Sequence, residues 1–142
     1  MSPLETRAWF ALWGMCPTYA IYFALQVADP PWLDTLLERI ACLAATSLAY
    51  AAVAITGALV TAGRARDQGL MADERDRAID AYATRIAYFV LMAGAVLSGM
   101  VMPFNNGGWK IVNAALLAIV LAEVLKNLLI IRGYRGLQRL AQ

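Results

Sequence analysis

The carboxylate of Glu123 is the side chain in this sequence with the clearest chemical potential. It lies near the middle of the last long apolar segment, with Lys126 at i+3 and Asn127 at i+4. A charged group at that depth in a membrane costs about 3 kcal/mol on insertion scales, so it needs a partner and often has a function. Such a carboxylate can carry a proton, bind a cation or form a structural ion pair.

A second ionisable group lies at a similar depth on the preceding apolar segment. Counted from Asp80, Arg85 is about 7 Å along its helix; counted from Arg132, Lys126 is about 9 Å and Glu123 about 13 Å along theirs, at 1.5 Å per residue. We therefore predict an intramembrane polar network that consists of Arg85, Glu123, Lys126 and Asn127.

Two interpretations of this network are open. In the first, Glu123 forms an ion pair with Arg85, supported by Lys126, and the pair fixes the register of the two helices. In the second, Glu123 is a protonatable site coupled to a substrate or a conformational switch. We favour the first, because two basic partners at a similar depth are enough to neutralise one carboxylate.

The composition places the chain among integral membrane proteins. Hydrophobic residues make up 61% of the sequence and charged residues 15%, with a mean hydropathy of +0.59. Those values lie outside the range of soluble globular domains. Residues 8–28, 40–63 and 86–109 contain no charge, and each run reaches the ~20 residues that cross a hydrocarbon core. The fourth run, 111–131, is interrupted only by Glu123 and Lys126.

These four runs predict an all-α protein in which residues 1–142 form a single transmembrane bundle. The predicted helices cover about 7–28, 37–62, 74–102 and 110–134. The links at 29–36 and 103–109 are short, so we expect the first and second helices, and likewise the third and fourth, to be antiparallel neighbours.

The positions of lysine and arginine predict the orientation of the helices. Cytoplasmic loops of membrane proteins carry an excess of these two residues. One side of the predicted bundle has only Arg39 and Lys110, whereas the other carries eight arginines: Arg7, Arg64, Arg66, Arg75, Arg77, Arg132, Arg135 and Arg139. We therefore expect both termini to lie in the cytoplasm.

Pro17 interrupts the first helix. It removes a backbone donor and leaves the carbonyl of Trp13 without its intrahelical partner, so a kink is expected. The kink can serve as a hinge, or it can be a static feature satisfied by packing.

The second segment is rich in small residues that recur at helical spacing. Small residues let helix backbones approach closely in a membrane. One stripe consists of Ser47, Ala51, Ala54, Ala58 and Ala62, and a second consists of Ala45, Ala49, Ala52 and Thr56. Two stripes can serve two neighbouring helices of the same chain, or one neighbour and a second copy. The second alternative predicts a homodimer.

The third helix begins with acidic residues. Asp73 suits an N-cap position, and acids in the first turn complement the helix dipole. Asp73, Asp76 and Asp80 also share a helix face, which could bind a divalent cation. We favour capping, which explains the same residues, and predict no metal site.

Several function classes are excluded by the residues present. The chain has no histidine, which removes haem or zinc sites built on His and nucleophiles activated by His. Its two cysteines, Cys16 and Cys42, are far apart in sequence, and no glycine-rich phosphate loop or catalytic carboxylate pair occurs. The arginines of residues 63–79 alternate with acids, which argues against direct nucleic-acid binding. We predict a protein that is not an enzyme and has no cofactor.

The second half of the chain resembles a family of small bacterial inner-membrane proteins of unknown function. The resemblance covers about residues 72–136. It rests on Asp73-Glu74-Arg75-Asp76-Arg77-x-Ile79 with Ala83-x-Arg85-x-Ala87-Tyr88-x-Val90-Leu91, and on Ala118-x-x-Leu121-Ala122-Glu123-x-Leu125-Lys126 with Arg132-Gly133. It implies a four-helix protein encoded beside small helix-turn-helix regulators, hence a regulatory partner. It also places Arg85, Glu123 and Lys126 within the family pattern.

Three functional hypotheses follow from the sequence. The favoured one is a membrane sensor or regulatory protein that meets a cytoplasmic regulator through a partner surface of Arg64, Arg66, Arg75, Arg77, Arg132 and Arg135. The same arginines could instead anchor the protein to anionic lipid. The second is a small dimeric proton-coupled exporter that uses Glu123, although the positive charges of Lys126 and Arg85 disfavour cation binding there. The third is a structural subunit of a membrane complex.

Overall fold

The computed structural model describes residues 3–67, 74–104 and 107–140. The long helices in these ranges are α1 (Pro3–Ala28), α2 (Leu36–Asp67), α3 (Glu74–Val96) and α4 (Gly108–Leu140). Four helical stretches are long and apolar enough to cross a membrane, which confirms the predicted all-α class. The helices run past the predicted bounds at the start of α1 and the ends of α2 and α4, because charged flanking residues continue a helix beyond its apolar part.

The chain divides into two compact units, Met1–Met71 and Ala72–Gln142. Each unit contains one helical hairpin, α1 with α2 in the first and α3 with α4 in the second. Within each hairpin, positions later in one helix contact positions earlier in the other, so the helices are antiparallel, as the short links predict.

Close contacts between small and large side chains hold the first hairpin together. A Cβ atom at Gly14 would lie 2.5 Å from Cγ1 of Val53, and one at Gly57 would lie 3.2 Å from Cβ of Phe10. Glycine at both positions therefore lets the two backbones approach. These contacts use residues outside the two predicted small-residue stripes of α2. The second stripe, which consists of Ala45, Ala49, Ala52 and Thr56, is exposed.

The turn between α1 and α2 is built from several local interactions. Asp29 ends α1 with a backbone φ of +43°, a conformation that aspartate tolerates better than most residues. Its carboxylate accepts a hydrogen bond from Arg39 at 2.7 Å, which also forms an ion pair. At the start of α2, the Glu38 carboxylate accepts from the backbone N–H of Thr35 at 2.9 Å, and the Thr35 hydroxyl accepts from the N–H of Glu38 at 3.3 Å. This reciprocal pair is a capping box.

A face of small residues on α3 packs against α4. Ala83 and Ala87 are buried on this face, and a Cβ atom added at Gly94 would overlap the Cβ of Ala118. Toward the other end of the hairpin, Gly133 on α4 packs against Ile79, with 3.1 Å between a Cβ built at Gly133 and Cγ2 of Ile79. The two helices are therefore in close contact along most of their length.

The end of α3 departs from regular α-helix. A π turn covers Leu97–Val101, and a 3₁₀ turn covers Met102–Phe104. Pro103 lies within the second turn and cannot donate a backbone hydrogen bond to a preceding carbonyl, which disfavours a regular α-helix here. The Ser98 hydroxyl, within the π turn, donates to the carbonyl of Gly94 in the last turn of α3 at 2.9 Å.

Candidate functional site

The ion pair that joins α3 to α4 is formed by Lys126 and Asp80. The Lys126 Nζ lies 3.8 Å from Oδ1 of Asp80. Lys126 is four residues after Ala122, so it projects from the same face of α4 as the residues that contact α3. Lys126 thus belongs to the interhelical contact, and its carboxylate partner is Asp80 of α3 rather than Glu123, the partner that the sequence predicts.

A second polar contact lies at the open end of this hairpin, where α3 begins and α4 ends. The Tyr134 hydroxyl donates a hydrogen bond to Oδ1 of Asp76. Asp76 and Asp80 are four residues apart and therefore share one helix face. We call the group of Asp76, Asp80, Lys126 and Tyr134 the polar clasp. Of the three aspartates considered for capping or cation binding, two are in this clasp, and Asp73 lies outside the described residues.

Arg85 lies on the far side of α3 from α4. It is two residues from both Ala83 and Ala87, which are on the contact face, and two residues correspond to a rotation of about 200°. Its side chain is exposed. The predicted ion pair between Arg85 and Glu123 is not present, because the two side chains project in different directions from the hairpin.

Glu123 projects to the side of α4. It follows Ala122, a contact-face residue, so its side chain is rotated by about 100° from that face. Glu123 is exposed, and among the described residues its carboxylate has no hydrogen bond or ion pair. The side-chain amide of Asn127 is buried, but it donates to the backbone carbonyl of Glu123 at 2.8 Å, not to the carboxylate. The four residues of the predicted network therefore do not form one cluster within the hairpin.

The predicted partner surface is described in part. Arg75, Arg77 and Arg132 are exposed near the open end of the second hairpin. The side chains of the other three members, Arg64, Arg66 and Arg135, lie outside the described ones.

Pro17, the predicted hinge, lies within α1, which continues on both sides of it. The hydroxyl of the next residue, Thr18, donates to the carbonyl of Gly14 at 2.6 Å. A hinge motion at Pro17 stays a prediction.

Sequence reasoning missed Asp80 and Tyr134 as interhelical partners. Both signals were present in the sequence. Asp80 lies three residues before Ala83, on the side of α3 that carries the small residues, and that side was the natural contact face. Tyr134 lies in the last turns of α4, level with the start of α3 once the hairpin is antiparallel.

Glu123 is thus a carboxylate near the middle of its span. Of its two predicted basic partners, Lys126 is paired with Asp80 and Arg85 projects from the far side of α3. Glu123 lies about 16 Å along the helix from Tyr134 and about 22 Å from Gly108. Among the described residues, no group of three or more metal-ligating side chains occurs. The available chemistry at Glu123 is therefore charge pairing or proton exchange with a group that meets the side of α4.

Comparisons with known proteins do not assign this chain to a family. Neither a protein-family model, nor a curated protein, nor a solved structure matches the chain. The resemblance of residues 72–136 to a family of small membrane proteins stays a prediction.

Proposed function

We propose that this chain is a multi-pass protein of the bacterial inner membrane that acts, without catalysis, as a sensor or regulatory partner of a cytoplasmic protein. In this proposal the open end of the second hairpin and both termini lie in the cytoplasm, as the arginine distribution predicts.

The observation that carries the proposal is that, at this open end, the acidic side chains are engaged within the hairpin whereas the arginines are exposed. Asp76 and Asp80 are engaged by Tyr134 and Lys126 in the polar clasp. Arg75 and Arg77, which alternate with these acids in sequence, are exposed, and so is Arg132 on α4. The clasp thus ties the ends of the two helices together, and the arginines remain available to an acidic surface. A fixed basic surface favours fast, salt-dependent encounters with such a partner.

The test is a pull-down of cytoplasmic proteins from the native host with detergent-solubilised protein. Its key variant replaces Arg75, Arg77 and Arg132 by Ser. The matched control is Arg39→Ser, which removes an arginine from the turn between α1 and α2. A soluble partner retained by wild type and by the control, but lost from the triple variant and at high salt, supports the proposal. Equal recovery by all three proteins would contradict it.

A vesicle-binding assay distinguishes lipid binding by the same arginines from binding of a cytoplasmic protein. If the triple variant loses binding to anionic vesicles, and no soluble protein is recovered by wild type, the surface is a membrane anchor and the regulatory proposal fails.

A second candidate function, a small proton-coupled exporter, gains support from one observation. The argument against it was that Lys126 and Arg85 would neutralise Glu123. In the second hairpin Lys126 is paired with Asp80, and Arg85 points away from α4. A proteoliposome proton-flux assay distinguishes the two functions. Flux that disappears in Glu123→Gln, with no soluble partner recovered, would replace the regulatory proposal by this one.

A further inference from the structure

Arg85 and Glu123 place opposite charges on the outside of the second hairpin. Both side chains are exposed, and neither forms a hydrogen bond or an ion pair within the part of the chain that the structure describes. A charge within an apolar span is unfavourable unless it is paired or reaches water. Each of these two residues therefore calls for a partner of opposite charge at its own depth.

The first hairpin does not contain such a partner. Residues 8–28 and 40–63, the apolar parts of α1 and α2, include no Asp, Glu, Lys or Arg. Asp29 and Arg39 lie just beyond these runs and are paired with each other. Lys126 is paired with Asp80, so the complementary charges that remain at these depths are Arg85 and Glu123 themselves, presented by a second copy.

One side of the second hairpin is shaped for such a contact. Thr84, Tyr88 and Ala95 each follow a contact-face residue of α3 by one position, and Gly99 follows the buried Ser98 in the π turn after α3. Glu123 follows Ala122 in the same way on α4. A side chain one position after a contact-face residue is rotated by about 100° from that face. Because α3 and α4 are antiparallel, this rotation points such side chains of both helices to the same side of the hairpin. We call this side, which consists of Thr84, Tyr88, Ala95, Gly99 and Glu123, the lateral face; all five residues are exposed.

The depths of the two charges also match. Gly94 is level with Ala118, and Ile79 is level with Gly133. In this register Arg85 is level with Asn127, one helical turn or about 6 Å from the level of Glu123. An extended arginine side chain spans that distance. A twofold axis along the membrane normal keeps every residue of the second copy at its own depth, so the match is preserved between copies.

We infer that two copies of this chain associate through their lateral faces, with Arg85 of each copy paired to Glu123 of the other. The small side chains of Thr84 and Ala95 let the two α3 helices approach closely, and Gly99 in the following π turn adds no side chain to this side. Arg85 lies at the edge of this contact, one residue beyond Thr84, where it can reach across to α4 of the second copy. This surface is distinct from the small-residue stripes of α2, and it does not depend on the proposed regulatory function.

Charge reversal tests the pairing and its intermolecular nature together. The single variants Arg85→Glu and Glu123→Arg are produced with different affinity tags, separately and together, and association is measured in nanodiscs. Each single variant brings like charges together in its own dimer, and its dimerisation constant is expected to fall at least about tenfold, because like charges held close together repel each other. A mixture of the two variants forms two correct pairs, so the mixed dimer is expected to recover wild-type affinity.

The contrary outcomes are equally defined. If the mixture associates no better than either variant alone, while one chain carrying both substitutions recovers wild-type behaviour, the pair is formed within a chain and the inference is wrong. A wild-type protein that remains monomeric in nanodiscs would also overturn it and point to a different membrane protein as the occupant.

A cross-linking experiment keeps the inference testable if a charge-reversed chain does not fold. In a background without the free thiols of Cys16 and Cys42, Ala95→Cys is expected to form a disulfide-linked dimer on mild oxidation. The matched control is Leu97→Cys, an exposed position two residues away that faces the opposite side of the hairpin. Linkage at residue 97 in preference to 95 would contradict the lateral-face dimer.

Discussion

Gly94 lies directly against Ala118, with no room between the helices for a Cβ atom at residue 94. Both helices contribute their smallest side chains at this point, so neither side can yield to a larger one. The separation of α3 and α4 at this level therefore depends on this contact.

Gly94→Ala is therefore expected to destabilise the protein. Overpacking of a close contact costs about 1–3 kcal/mol, and the overlap is with the Cβ of Ala118, which has no freedom to rotate away. Reversible unfolding in mixed micelles measures the change. Adding Ala118→Gly to the same chain should restore most of the lost stability.

The control is Gly63→Ala, since nothing lies within 4 Å of a Cβ built at Gly63. That variant should be neutral or slightly stabilising, because alanine favours helix over glycine by up to about 1 kcal/mol. If Gly94→Ala is tolerated as well as Gly63→Ala, the contact at Gly94 is not tight.

Tyr134→Phe tests the polar clasp. The substitution keeps the ring and removes the hydrogen bond to the Asp76 carboxylate, and hydrogen bonds to charged groups contribute about 1.5–3 kcal/mol. Tyr82→Phe, at an exposed position of α3, is the matched control and should leave stability unchanged. If the two variants unfold at the same temperature as wild type, the clasp does not hold the open end together.

Asp29 offers a test of the turn between α1 and α2. Asp29→Gly and Asp29→Ala both remove the ion pair with Arg39, but only alanine places a Cβ atom on a backbone with a φ of +43°. Left-handed backbone costs about 1–2 kcal/mol for a residue that carries a Cβ. The alanine variant should therefore unfold more easily than the glycine variant, by about that amount, in a thermal scan. Identical transitions would mean that the turn relaxes.

The sequence predicts much of this fold because the dominant constraint is simple. Apolar runs long enough to cross a membrane, three of them without charge, mark the helices. The stretches around Pro30 and Gly107 are too polar and too rich in turn residues to continue them. Helix ends were less well predicted, since a charged residue such as Arg64 does not end a helix.

The sequence predicts the level of the candidate site residues along their helices, but not the direction in which their side chains project. Counting residues places Arg85, Lys126 and Glu123 at similar levels, and the register of Gly94 against Ala118 is consistent with this. Counting does not say which way each side chain points. The small residues Ala83, Ala87 and Gly94 contain that information, because they mark the contact face of α3 and put Arg85 opposite to it.

Cysteine labelling tests the proposed topology with exposed, described positions. In a chain without its native cysteines, Asp34→Cys and Gly107→Cys should react with a membrane-impermeant maleimide in intact cells, because they lie in the two predicted outer turns. Arg77→Cys should react only after the membrane is opened. The reverse pattern would invert the topology, and it would remove the cytoplasmic location on which the regulatory proposal depends.

Glu123→Gln separates a charge that stabilises the hairpin from one that acts between molecules. The carboxylate has no ion pair in the second hairpin as far as it is described, so in dilute detergent, where the protein is monomeric, the substitution should change the free energy of unfolding by less than about 0.5 kcal/mol. In nanodiscs at higher protein density the same variant should associate more weakly than wild type, because Arg85 of the second copy loses its partner. Asp80→Asn is the control. It breaks the pair with Lys126 inside the hairpin and leaves the lateral face intact, so it should lower the free energy of unfolding without weakening association. A loss of about 3–5 kcal/mol in the Glu123→Gln monomer, the cost of breaking a buried ion pair, would instead restore the intramolecular pair that the sequence predicts.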